Sequence, residues 1–266
     1  LHLGKILECA AICATPGSGS DCMFGYLGED YFKLEPLNKE RKCTTVSVAA
    51  HTLYEKSNPY ILPGPGGYLD LKECEFIQEE ENIVKVSGSK FVPSKYTIKL
   101  EGAKLIGYRT VSIAGARDPI MINKIDEIIE GVKEIVKDNF KSNKYDYYLD
   151  IKIYGKNAVM GELEYNPSTK NCHEIGIIIE AVANTQEKAD TICAFARSTM
   201  LHFGYKGRKA TAGNLAFPYS PSDFHGGEVY NFSVYHLMEI NDNDMDEIFK
   251  IDYEIIKGVD KDDQIS

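Results

Sequence analysis

The chain has 266 residues and a formal net charge of −10 from 40 acidic and 30 basic side chains, a balance that repels nucleic-acid phosphates and anionic lipid headgroups. Hydrophobic residues make up 43% and aromatic residues 11%, too much for a disordered chain, and the length fits one large core or two modest ones. No apolar run approaches the roughly 20 residues of a membrane helix, and seven cysteines without paired CxxC spacing fit a reducing compartment, so a cytoplasmic protein is expected.

Leu1 rather than Met at the first position suggests a truncated or processed start. Residues 6–15 are apolar and β-compatible, and Pro16-Gly17-Ser18-Gly19-Ser20-Asp21 then breaks any regular element, so a strand running into a loop is expected. Thr44 or Thr45 caps a helix that carries Val46, Val48, Ala49, Leu53 and Tyr54 and that Asn58-Pro59 stops. Leu62-Pro63-Gly64-Pro65-Gly66-Gly67 reads as a second shaped loop, because two prolines lack amide donors and three glycines favour special dihedrals. Residues 74–78, 82–86 and 96–101 alternate as short strands of a small antiparallel sheet.

After Lys104 the rhythm becomes strand, helix, strand, strand, helix, strand. Residues 107–115 alternate with Val111 and Ile113 on one face; Pro119 then opens a helix striped by Ile122, Ile125, Ile129, Val132 and Val136 that ends near Phe140. Residues 147–154 and 174–183 read as strands, Asn184 or Thr185 caps a helix through Cys193, Phe195 and Met200, and residues 229–238 supply the last strand. The expected fold is therefore α+β: a loop-rich α/β region with a small antiparallel sheet over residues 1–105, a ferredoxin-like β-α-β-β-α-β unit over 106–258, and a frayed tail over 259–266. Residues 204–228 lack any sustained period, and this long stretch, rich in Tyr, Phe, Asn, Arg and His, reads as an ordered loop over a site.

No GxGxxG, Walker loop, HExxH or GxSxG motif occurs, and no cofactor is identified. His51 and Glu55, four apart on a helix, can form an acid-base unit or a plain surface pair. Ser18 and Ser20 in the first glycine-rich loop, and Gly66 and Gly67 in the second, can present backbone amides to a carboxylate or phosphate. Arg109 and Arg117 frame the end of the 107–115 strand, where a guanidinium can clamp a carboxylate, although Arg117 can instead pair locally with Asp118. Cys172-His173-Glu174 places a thiol beside an imidazole, and they can converge only from a loop. In the long loop, Asn214 is a substrate-binding candidate, and Asp223 and His225 are the candidates for proton transfer. Cys9, Cys13 and Cys22 make an iron-sulfur site conceivable, with a spacing that matches no standard pattern.

Four strings, Ala50-His51-Thr52-Leu53-Tyr54-Glu55-Lys56-Ser57, Leu62-Pro63-Gly64-Pro65-Gly66-Gly67, Ala114-Gly115-Ala116-Arg117-Asp118-Pro119 and Ala212-Gly213-Asn214-Leu215-Ala216-Phe217, resemble the acyclic terpene utilisation family over nearly the whole chain. The resemblance implies the C-terminal part of a longer chain whose N-terminal α/β region precedes Gly4. It also implies a role in breaking down branched terpenoid acids through coenzyme A thioesters, and it assigns no catalytic residue. The expectation is a cytoplasmic catabolic enzyme or catalytic subunit that acts on a small carboxylic acid or acyl thioester by lyase or hydratase acid-base chemistry, with His51 or His225 as base. A homo-oligomer, with a companion subunit or the missing N-terminal region as partner, is expected alongside. The alternative from another class is a non-catalytic subunit that completes a larger assembly.

Overall fold

The computed structural model describes residues 1–54, 56–141, 146–165, 172–209 and 211–256, without the side chains of residues 242 and 243. Among the described residues, eleven strands and six helices make a mixed α+β chain that divides into two units, one of residues 1–100 and 236–266, the other of residues 101–235. The described residues contain no helix long and apolar enough to cross a membrane.

In the first unit, α1 (His2–Leu7) and α2 (Thr45–Leu53) pack on a four-stranded sheet ordered β1 (Met23–Leu27), β2 (Tyr31–Pro36), β6 (Val84–Ser87), β5 (Glu75–Gln78). Alternation in β2 and β6 turns Phe32, Leu34, Val84 and Val86 inward, where they meet Ile6, Cys13, Cys43 and Val48. The strand expected over residues 6–15 is instead the end of α1 followed by turns, tied by single bridges at Ala11↔Ser18 and Thr15↔Lys42. A short apolar run has no periodicity to separate strand from buried helix, and here His2 and Ile6, four apart, are the inward pair. Thr44 caps α2 as expected, with reciprocal bonds to Ser47, but the helix stops at Leu53, because Tyr54 turns to φ −56°, ψ 136°.

The Pro-Gly string is a hairpin rather than a loop. β3 (Ile61–Gly64) and β4 (Gly67–Asp70) pair around Pro65-Gly66, and β7 (Lys90–Pro93) adds a third strand beyond β4. Pro65 supplies the fixed φ of a turn's second residue and Gly66, at φ +70°, the left-handed one. Pro63 is tolerated because β3 is an edge strand that does not need every amide.

The second unit carries the order expected of a ferredoxin-like unit. β8 (Thr97–Ala116), β9 (Tyr147–Tyr154), β10 (Ile175–Ala183) and β11 (Asp223–Glu239) form a sheet ordered β11-β8-β10-β9, in which β10 runs antiparallel to β8 and β9. One face is covered by α4 (Ile125–Phe140) and α5 (Gln186–His202), which bury Ile128, Val132, Val136, Ile192 and Met200 against Ala114, Ala116, Ile177 and Ile179. Pro119 opens a short separate helix, α3 (Pro119–Asn123), and Lys124 at φ −104°, ψ 12° breaks the expected single helix in two. Thr185 caps α5. The segment expected as residues 96–101 is the start of the 20-residue β8, and the last strand begins at Asp223, so the long loop ends six residues earlier than its composition suggests. Helix α6 (Asp242–Ile248) follows β11, and the tail from residue 257 on lies outside the described residues.

Candidate functional site

Side chains alternate along β8 and β10, and those of Ala114, Ala116, Ile175 and Ile177 enter the helix-covered core. The opposite face therefore carries Ile113, Gly115 and Gly176, and Gly115 pairs directly with Gly176 across the strands. A Cβ on Gly115 would meet nothing closer than 3.8 Å, and one on Gly176 nothing closer than 3.5 Å, so this stretch of sheet is bare backbone with space above it. It floors a cleft of about 680 Å³, a size common among small-molecule sites.

The wall of the cleft is the segment 213–218. Gly115 N–H donates to the Ala216 carbonyl at 2.8 Å and Ala216 N–H returns to the Gly115 carbonyl at 2.9 Å, pinning the segment to the end of β8. Asn214 holds the wall from behind: its amide N–H donates to Leu201 O (2.9 Å), its side-chain NH2 to Phe203 O (3.3 Å), and its side-chain oxygen accepts from Arg208 Nε (2.9 Å). Arg208 also donates to the His202 and Ala212 carbonyls. A Cβ on Gly213 would collide with the Leu201 side chain, so any larger residue there must push Leu201 aside. Two of the four strings singled out in the sequence thus meet at one cleft, whose lining is mainly apolar through Ile113, Leu215, Ala216, Phe217 and Pro218.

Charge enters this lining through Arg117 and Glu174. The chain has five arginines. Arg41 is bound to Asp21 and Pro16 O, Arg109 to Glu180 at 2.5 Å, Arg197 to Asp223 at 2.7 Å, and Arg208 to the carbonyls above. Arg117 is different: its side chain is 74% exposed and its contact with Glu174 is 3.7 Å, too long for a hydrogen bond. Local pairing with Asp118 does not occur, because that carboxylate accepts from Ile120 N at 3.0 Å and from the Tyr205 hydroxyl at 2.5 Å. The Tyr205 bond holds Asp118 ionised below the usual carboxylate range, while burial and Asp118 push Tyr205 up to about 12.

The other sequence candidates are dispersed. Arg109 belongs to an ion chain across three strands, Arg109–Glu180–Lys152–Asp150, with links of 2.5, 2.9 and 2.7 Å. Burial opposes the charge on Glu180, but the bonds from Lys152 and Arg109 prevail and keep it ionised. Asp223 and His225 lie in β11 rather than in a loop, and each has another partner. Asp223 binds Arg197, and His225 Nε2 lies 3.1 Å from Asp190 Oδ2. Asp190 is held in turn by Thr110 Oγ1 (2.5 Å) and Gln186 Nε2 (3.0 Å), and these bonds outweigh its burial and lower its pKa. Sequence reasoning missed Asp190; the signal was Gln186 and Asp190, four apart at the start of a capped helix.

In the first unit, His51 is only 7% exposed, its ring stacks on Tyr54 at 5.4 Å, and among the described residues its Nε2 has no hydrogen-bond partner. Burial, then Lys5, lowers its pKa, and Glu8 opposes the shift. Glu55 lies outside the described residues, and α2 ends before reaching it. The first glycine-rich loop closes on itself: Ser18 and Ser20 hydroxyls bond each other at 3.0 Å, Ser20 N–H donates to Ser18 Oγ, and Ser18 N–H to Ala11 O. Gly66 makes the hairpin turn, and a Cβ on Gly67 would collide with Phe91. Cys172 precedes β10, but its thiol donates to Gly155 O at 2.9 Å. Cys13 is buried and Cys22 exposed, and among the described residues no three His, Cys, Asp or Glu side chains form a metal-holding group.

The model of the acyclic terpene utilisation family protein AtuA matches residues 34–222, which span the hairpin, the ferredoxin-like sheet as far as the start of β11, and the whole cleft. Searches of curated proteins and of solved structures found no match.

Proposed function

Because the chain belongs to the acyclic terpene utilisation family, we propose that it binds an apolar, branched carboxylic acid, free or as its thioester, in the cleft at the end of β8. The observation that carries this reading is Arg117, among the described residues the one guanidinium of five without a short internal bond, set on the mouth of an apolar cleft floored by two glycines. A branched hydrocarbon fits a lining of Ile, Leu, Ala, Phe and Pro, and a carboxylate fits a planar cation that can donate two parallel bonds.

The activity we assign is lyase or hydratase chemistry in the catabolism of such acids in the cytoplasm. Glu174 is the carboxylate of the cleft lining and takes the part of base and then of acid, removing the proton α to the carbonyl and passing it to the β-hydroxyl, which departs as water and leaves the α,β-double bond; hydration is the reverse. His225 and His51 are not among the residues of the lining, and this argues against the sequence-based choice of either as base.

Calorimetric titration with an acyclic branched terpenoid acid such as citronellic acid, with its primary amide as control, tests the reading. The wild-type chain binds the acid and discriminates against the amide, Arg117→Gln weakens acid binding by about ten- to a hundredfold, and Glu174→Gln keeps binding while, in a separate assay with the 2,3-unsaturated acid or its thioester, losing hydration. Equal affinity of wild type and Arg117→Gln for the acid would sink it. A second reading, a non-catalytic subunit in a larger assembly, draws support from the run of large apolar side chains left exposed along β11.

A further inference from the structure

β11 is the outermost strand of its sheet, and no other strand of the described residues bonds to its outer edge. All eight residues 230–237 are exposed, so both faces of the strand are open here. Tyr230 (53%), Phe232 (77%), Val234 (45%), Tyr235 (75%) and Leu237 (60%) place large apolar surface in water. Exposed edges are ordinarily blunted by Lys, Pro or short length. β11 is 17 residues long and contains no Lys, Arg or Pro.

The order of charges along this edge says what it fits. Two copies of one strand, laid antiparallel about a two-fold axis at Phe232, set Glu228 opposite His236, with Tyr230 opposite Val234 and Val229 opposite Tyr235; His225 and Glu239 also fall opposite each other but keep their own partners, Asp190 and Lys95, so the Glu228–His236 pair carries the complementarity. Among axes centred on residues 230–234, only this one places a histidine opposite each glutamate. An axis at Asn231 instead sets Asp223 against Glu239, two like charges. Glu228, Tyr230, Phe232, Val234 and His236 also share one face, so each residue meets its counterpart on the same side of the extended sheet. We propose that β11 pairs with β11 of a second copy of this chain in that register, joining two four-stranded sheets through an isologous interface.

Sedimentation equilibrium of the whole chain tests this. The wild type is expected to sediment as a dimer, and His236→Glu, which sets two carboxylates opposite each other twice per interface, to weaken dimerisation by about tenfold. The double exchange Glu228→His with His236→Glu restores it, a result that a merely structural role for His236 does not give. Phe232→Cys provides a readout independent of those charges: mild oxidation links two copies through residue 232 beyond the background of the wild-type cysteines. A monomeric wild type, a dimer indifferent to His236→Glu, failure of the exchange to restore it, or no added cross-link at residue 232 would each overturn the proposal.

Discussion

His2 is 3% exposed, with Nε2 3.0 Å from Thr52 Oγ1, Nδ1 3.8 Å from Cys74 Sγ, and its ring edge-on to Phe32. Burial first, then Lys56, lowers its pKa to about 4. The unfolded chain therefore binds a proton at higher pH than the folded chain does, and the stability this histidine contributes is present above about pH 6.5. It is lost as pH falls from there towards about 4, up to about 3 kcal/mol for a shift of this size, with the depressed His51 acting in the same direction. Denaturant midpoints measured across this range should fall with pH in the wild type and fall less in His2→Leu; parallel curves would refute the assignment. Neither histidine's burial was legible in the sequence, because His2 sits one residue from the start of the chain and His51 beside Glu55 on what reads as a surface helix. What buries His2, Phe32 and Phe76, comes from distant contacts that no local pattern records, whereas Tyr54, only three residues on, stacks over His51.

At the scale of elements, strong periodicity and strong caps were the readable signals. The stripe of α4, the span of β9 and the Thr44 and Thr185 caps follow from side-chain spacing and local hydrogen bonding alone. The 61–70 hairpin was hidden because proline and glycine mark loops and tight turns alike, and what distinguishes them here is that β3 lies at a sheet edge. The start of β11 was hidden for a related reason: Gly226-Gly227 looks like loop material, yet a Cβ on Gly226 would reach 2.7 Å from the Arg109 side chain, so the strand needs glycine to lie against its neighbour. Glycines of the same cleft divide in the same way. Gly213→Ala should cost about 1–3 kcal/mol by forcing Leu201 aside, whereas Gly115→Ala, with nothing within 3.8 Å of the added carbon, should leave the melting temperature nearly unchanged. Thermal melts of the two variants decide this, and equal losses would contradict the packing described.

Over the whole molecule, the β-α-β-β-α-β order was legible, and the strand order β11-β8-β10-β9 supports it. The candidate site was legible only in part. Arg117 and Asn214 were singled out and do line one cleft, but the fold assigns Asn214 to the wall, and Arg109, Asp223 and His225 to other bonds. The cleft itself exists because Gly115 and Gly176, 61 residues apart in the chain, fall opposite each other in register, a coincidence that only the paired strands reveal. That feature also gives the most direct test of the account. Titration of citronellic acid into Gly115→Val, alongside the wild type, should find the acid bound by the wild type and not by the variant, although the variant melts as the wild type does. Undiminished binding to Gly115→Val would contradict the claim that the ligand lies on this floor.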